Sequence, residues 1–290
     1  MDYKLKRENQ MKDTAITVYI DNNKNLMNEF RWLYNSWLAS GSWMMSKIVA
    51  FHHPAISYDD MPKDNDIDYI PLVPLTERDP SWRDYPFINS VWFMTTPEAA
   101  ILTDYRYALR TDCDTFLTPY FPLLKPRLAQ FGAGMFASNS DVVIRLATIA
   151  NKWGISPVFN NVGSTFMAIP NRAIQYSQTQ FEYCKKLKAE EFKDGYGTWP
   201  GWYQGVLTMY AGQLAANTTF DTGMNIGGLD VHCVSRDQMS PQDYHIHAWH
   251  TEGYFSKHNW RKGDYKNYDM NKLDKTCIAD YCLWIAGACP

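Results

Sequence analysis

Residues 108–119 read ALRTDCDTFLTP, and both the fold and the chemistry of the chain turn on this stretch. The residues before it, Tyr107 to Thr111, read as a strand that runs into Asp112-Cys113-Asp114. Two carboxylates at i and i+2 of an extended chain lie on one side of it. Asp112 and Asp114 can therefore converge on a single cation. Carboxylate oxygens suit magnesium or manganese, and such ions neutralise a phosphate-bearing leaving group. Leu109, Phe116 and Leu117 flank the acidic pair and would anchor the turn beneath it. Taken alone, the triplet also describes a solvated turn with a helix cap, so the rest of the chain has to decide.

Working outward, residues 15–20 form an apolar run that reads as a first strand, closed by the turn signal Asp21-Asn22-Asn23. From 26 to 38, Leu26, Met27, Phe30, Leu33, Tyr34 and Trp37 recur at helical spacing. Residues 47–51 resemble a second strand. Residues 69–75 are a third candidate that Pro71 and Pro74 confine to a sheet edge. Residues 89–108 read as mainly helical. Beyond the acidic pair, 127–131, 164–169 and 229–234 are strand-like, and 171–188 and 201–217 are helical. Alternating strands and helices predict an α/β class with a mixed, mostly parallel sheet flanked by helices. No repeat or linker interrupts the chain. The expected layout is a polar tail over 1–13 and one domain over 14–290, with halves that meet near 118 and 119.

A second constellation lies late in the chain. Residues 244–258 read YHIHAWHTEGYFSKH and hold His245, His247, His250 and His258, four of the seven histidines. His245 and His247 would share one face of a strand, with His250 just past its end. Imidazole is the commonest nitrogen ligand for a transition metal, and a histidine beside two carboxylates shifts the preference from magnesium toward manganese. A third stretch, WPGWYQG at 199–205, offers Trp199 and Trp202 as platforms for a sugar ring and Gln204 as a hydroxyl partner. It reads equally well as a hydrophobic helix start. Asp194 and Asp230 are the remaining acidic candidates for a role in the chemistry.

The strand that ends in Asp112-Cys113-Asp114 resembles the D-x-D motif of nucleotide-sugar-dependent glycosyltransferases with the GT-A fold. Residues 160–170, NNVGSTFMAIP, look like the small-residue strand that follows the motif and lines the acceptor pocket. His250, Gly253 and Lys257 resemble a loosened form of the H-x-x-G-x-x-K motif of glycogenin-like retaining enzymes. Lys257 comes one residue late for that pattern. The resemblance implies a metal ion, Mn2+ or Mg2+, held by Asp112, Asp114 and His250, with His247 as the rival nitrogen ligand. It implies further that Gly253, Lys257 and Arg110 approach the diphosphate, and that Asp21 meets the base or ribose of a donor, UDP-linked by expectation. Retention of configuration follows from the same likeness, with a carbohydrate, glycoprotein or small-molecule acceptor. The outline, rich in Asn, Tyr and Trp, is similar to transferases encoded by large DNA viruses and algae.

Composition bounds the alternatives. A net charge of −3 argues against a nucleic-acid binder that relies on a basic surface. The 11 Trp and 19 Tyr suit sugar and base stacking as well as core filling. The N-terminal residues MDYKLKRENQMKDT have no apolar stretch behind them, and no window has the roughly 20 apolar residues that span a bilayer. The six cysteines form no CxxC pair. Together these predict a soluble, cytoplasmic protein with reduced thiols. Asp112-Cys113-Asp114-Thr115 also resembles the nucleophile motif of haloacid-dehalogenase-type phosphatases. Arg106 and Arg110 interrupt the apolar strand that such a motif follows, and a suitable acidic pair after it is missing. The other alternative is a non-catalytic carbohydrate- or metal-binding module.

Overall fold

The computed structural model describes residues 12–249 and 252–288. In chain order its strands are β1 (Thr14–Ile20), β2 (Ser46–His52), β3 (Ile67–Pro71), β4 (Tyr107–Arg110), β5 (Thr115–Leu117), β6 (Ala129–Ala133), β7 (Val162–Ala168), β8 (Gly223–Asn225), β9 (Val231–His232) and β10 (His245–His247). The α-helices are α1 (Lys24–Ala39), α2 (Leu75–Arg78), α3 (Asn89–Trp92), α4 (Ser140–Lys152), α5 (Pro170–Glu191), α6 (Leu207–Thr219), α7 (Lys257–Lys262) and α8 (Ile278–Gly287). The chain divides into two compact units interleaved in sequence. Of the described residues, the first takes those up to Pro71, Thr111–Lys125, and those from Gly227 onward; the second takes Leu72–Arg110 and Pro126–Ile226.

In the first unit β1 pairs in parallel with β2 from Thr14↔Ser46 to Ile20↔His52, and β2 pairs in parallel with β3. All seven residues of β1 are buried, which explains the unbroken apolar run instead of an alternating one. Helix α1 starts at Asn23, whose side chain accepts from the Asn25 amide. It is buried on two sides. Phe30 meets Tyr69 of β3 edge-on, and the Trp37 indole donates to Ser46 Oγ at 2.9 Å. Trp32 instead stacks on Phe116 of β5, in a cluster with Ile246, Phe255 and the apolar residues of α8. The small sheet in that cluster runs β5-β10-β9, with β10 antiparallel to β5 and parallel to β9. Ser36 Oγ accepts the Leu117 amide at 2.9 Å and ties α1 to β5.

In the second unit β7 is antiparallel to both β4 and β6, and β6 is parallel to β8. Helices α5 and α6 pack closely because Gly212 leaves room; a Cβ there would stand 3.0 Å from the Tyr176 hydroxyl and the Gln180 amide. Gln180 Nε2 donates to the Thr208 carbonyl at 2.9 Å across the same contact.

Two stretches depart from the sequence reading. Residues 89–108, expected to be mainly helical, are a four-residue helix followed by 3-10 turns over Phe93–Thr95 and Pro97–Asp104, and enter β4 at Tyr107. Pro97 forces Thr96 into an extended conformation (φ −85°, ψ 158°), and the helix cannot continue through it. The strand expected over 229–234 shrinks to Val231–His232 after a 3-10 turn at Gly227–Leu229.

Candidate metal centre

Four segments of the first unit build the site. The backbone leaves β4, and the Thr111 amide bonds the Thr17 carbonyl of β1 at 3.0 Å, so the acidic turn starts at the end of a strand. Asp112 and Asp114 then lie on either side of Cys113, whose buried thiol donates to the Tyr19 carbonyl at 3.4 Å. Burial and the surrounding carboxylates, Glu29, Asp114, Asp112 and Asp21, push that thiol well above its ordinary range. It is a structural residue and a poor nucleophile. Thr115 begins β5 and pairs with His247 of β10, and this antiparallel register sets the histidine beside the acidic pair.

His247 is the centre of the arrangement. Its Nε2 lies 3.4 Å from Asp114 Oδ1 and 3.8 Å from Asp112 Oδ2. Its Nδ1 lies 3.1 Å from Asp230 Oδ1, on a side chain with no exposed surface. Ligand atoms from Asp112, Asp114 and His247 all lie within 4.8 Å of one another. Two carboxylates and one imidazole nitrogen form a donor set that fits a divalent magnesium- or manganese-type ion, whose charge they would balance. Asp230 grips the far ring nitrogen, which fixes the ring's orientation and raises its basicity.

Electrostatics are consistent with a pre-formed anionic site. Burial disfavours the charged form of Asp114, yet Lys257 and His247 hold its carboxyl well below the usual range. Burial also opposes the charged form of His247, but Asp114 and Asp230 push its pKa up to about 10. Lys257 Nζ bonds Asp114 Oδ2, and that contact outweighs burial and raises the ammonium's pKa. Behind it, Arg261 is paired with Glu29 of α1; burial, followed by the charge of Asp114, raises the Glu29 pKa to about 7.

The other sequence candidates fall in varied places. His245 is buried, with Nε2 2.7 Å from Thr111 Oγ1, and burial lowers its pKa to about 4. It braces the strand end from below as a neutral residue. His250 lies outside the described residues. Gly253 packs on Val234, which a Cβ would meet at 2.5 Å. Asp21 follows the last residue of β1. Arg110, expected at the diphosphate, is instead buried in the second unit and bonded to the Ser90 and Ser164 carbonyls at 2.7–3.0 Å. In that unit Gln204 is 2% exposed, and Asp194 is exposed in a turn. Trp202 is no free platform: it stacks on Tyr210 at 4.2 Å and on Phe192 at 5.3 Å. Trp199 is half exposed. The sequence reading missed Gly228. A Cβ there would strike the Gln242 carbonyl at 1.7 Å, where the Tyr244 amide bonds the Gly228 carbonyl and aligns the entry to β10. A glycine pair ahead of Leu229-Asp230 was the available signal.

Comparison with known proteins places this geometry in a family. Residues 71–282 match the family model described as a domain of unknown function, DUF7164. The chain belongs to the DUF7164 family. No curated protein matches it by sequence. Among solved structures, the galactosyltransferase LgtC in complex with donor and acceptor sugar analogues is similar to it at a TM-score of 0.53 and 11% identity, covering 95% of this chain and 96% of the other. An active-site mutant of LgtC, with glutamine changed to glutamate, is similar at a TM-score of 0.52 and 10% identity, covering 86% and 94%. The bifunctional glycosyltransferase WbbM is similar at 0.51 and 10% identity, covering 96% of this chain and 50% of its own. The fold is α/β of the GT-A type, mixed and mostly parallel with flanking helices. Among the described residues, no helix is long and apolar enough to cross a membrane, and all five cysteines are free and buried.

Proposed function

We propose that the chain is a metal-dependent glycosyltransferase that moves a sugar from a nucleoside-diphosphate sugar to a carbohydrate, glycoprotein or small-molecule acceptor. The observation that carries this reading is the convergence of Asp112, Asp114 and His247 on one point, with Asp230 behind the imidazole. The likeness to a galactosyltransferase holding donor and acceptor sugar analogues supports it. The bound ion would neutralise the diphosphate as it leaves. Asp112, Asp114 and His247 would hold that ion, Mn2+ in preference to Mg2+ because one ligand is a nitrogen. Gly253 would approach the diphosphate; His250, the other nitrogen ligand that the resemblance implies, lies outside the described residues. Asp21, at the end of β1, would meet the ribose or base, uracil by this reading. Gln204, in the second unit, would hydrogen-bond a sugar hydroxyl. The likeness to the glycogenin-type motif favours retention of configuration.

The test is thermal stabilisation by a panel of nucleoside diphosphates, with and without manganese, on the wild type and Asp114→Asn. A ligand that binds only the folded state raises its stability by mass action. One nucleotide that raises the melting temperature only with metal, and not in the variant, supports the reading and names the base. No shift under any condition would return the chain to a non-catalytic binding module or a phosphatase.

A further inference from the structure

Asp114 divides its two carboxylate oxygens between different partners. Oδ1 faces His247 Nε2 at 3.4 Å, on the side where Asp112 and His247 converge. Oδ2 is taken by Lys257 Nζ, and both side chains of that pair are more than nine-tenths buried. Lys257 is held in turn. It opens α7, whose N-cap Ser256 accepts the His258 amide, and one turn later Arg261 is ion-paired with the buried Glu29 of α1. The ammonium is thus fixed from the helix start and from the next turn.

We propose that Lys257 is a positioning residue that confines Asp114 to one oxygen on the metal side, and that this confinement makes the centre select small six-coordinate cations over calcium. The inference rests on the metal centre proposed above. Calcium takes 6–8 oxygen ligands and commonly draws both oxygens of a carboxylate, whereas magnesium-sized ions take near-octahedral sets. With Oδ2 committed to an ammonium in a buried pair, Asp114 has one oxygen to offer. The nitrogen of His247 also disfavours calcium, but it is the same in wild type and variant, so the change in preference isolates Lys257. The sequence pattern directs this lysine at phosphate; the structure assigns it to a carboxylate.

Calorimetric titration of Mn2+ and Ca2+ into wild type, Lys257→Met, Lys257→Gln and Lys257→Arg tests the assignment. The wild type is expected to prefer Mn2+. In the Met and Gln variants that preference should fall by about tenfold or more, the scale of a lost outer-shell partner, through tighter calcium binding. Arginine should keep most of it. An unchanged ratio in either neutral variant with native circular dichroism overturns the assignment, and Gln supplies the answer if Met does not fold. Wild type that binds Mn2+ and Ca2+ equally also overturns it. Wild type that binds neither ion removes the metal centre itself, and the inference with it, which separates the two failures.

Discussion

His247 gives its Nδ1 to Asp230 at 3.1 Å and turns its Nε2 to Asp114 at 3.4 Å, so a single ring spans a fully buried carboxylate and the acidic pair. Nothing in the ring's orientation is left for an arriving ion to arrange. The strand pairing His247↔Thr115 sets its position, and Asp230 sets its tilt. In the proposed metal centre, Asp230 would therefore set the imidazole without touching the ion.

Asp230→Asn should lower manganese affinity about 10- to 100-fold, the usual cost of losing an outer-shell carboxylate behind a ligating histidine. The fold should survive, since the amide keeps the size of the carboxylate. Titration of Mn2+ by calorimetry or electron spin resonance measures this. Equal affinity in the variant would remove Asp230 from the centre.

The two strand histidines titrate in opposite directions. His245, with a folded pKa of about 4 against about 6.5 unfolded, stays neutral while the unfolded chain takes up a proton. Its contribution is lost as the pH falls from about 6.5 toward 4. His247, with a folded pKa of about 10, contributes stability fully below about 6.5, and that contribution is lost as the pH rises toward 10. The His245 limb is worth on the order of 3 kcal/mol and the His247 limb on the order of 5. In metal-free protein, His245→Asn should flatten the acid limb and His247→Asn the alkaline one. Manganese needs the unprotonated Nε2, so its affinity should rise with pH across the alkaline limb. Melting curves from pH 4.5 to 9.5 read all three.

Gly228→Ala should cost about 1–3 kcal/mol, because the Gln242 carbonyl occupies the space of the new Cβ. The turn it disturbs leads to Asp230 two residues later, so manganese affinity should fall together with the melting temperature. A variant with a lowered melting point and undiminished affinity would show that the turn and the centre are independent.

If Gln204 acts on the reacting sugar, Gln204→Ala should lower turnover with the proposed donor at least about tenfold, in the range of a lost catalytic hydrogen bond. Stabilisation by manganese should stay as in the wild type. Loss of metal binding in this variant would point instead to a structural role for the buried amide.

How far the sequence could be read follows from the physics of each segment. β1 and β2 stood out because strands covered on both faces give unbroken apolar runs. α1 stood out because its stripe keeps the 3.6-residue period. α8 escaped because it is apolar nearly all round: eight of its ten residues are buried, which leaves no polar face to mark a period. α4 escaped because Val143 and Ile144 are exposed and blur its stripe. At the site, Asp112, Asp114 and the histidine cluster were visible as local spacing. The partnership of His247 with Asp230 was not, since it depends on the β9–β10 pairing that places Val231 beside Ile246. Nor was the attachment of Lys257 to Asp114, a contact across 143 positions.

The proposed centre draws on residues 112–114, 230 and 247, with Lys257 behind them, so its parts would leave the ribosome at widely separated times. A nascent chain that has just exposed Asp112 and Asp114 still lacks the nitrogen ligand, its carboxylate support and the strand that carries it. An ion can therefore do little to start folding, unlike the metal of a zinc finger, and its binding energy falls only to a finished first unit. Manganese uptake would report on completed synthesis and assembly of that unit, and chains stalled before β10 would pass unnoticed by the ion.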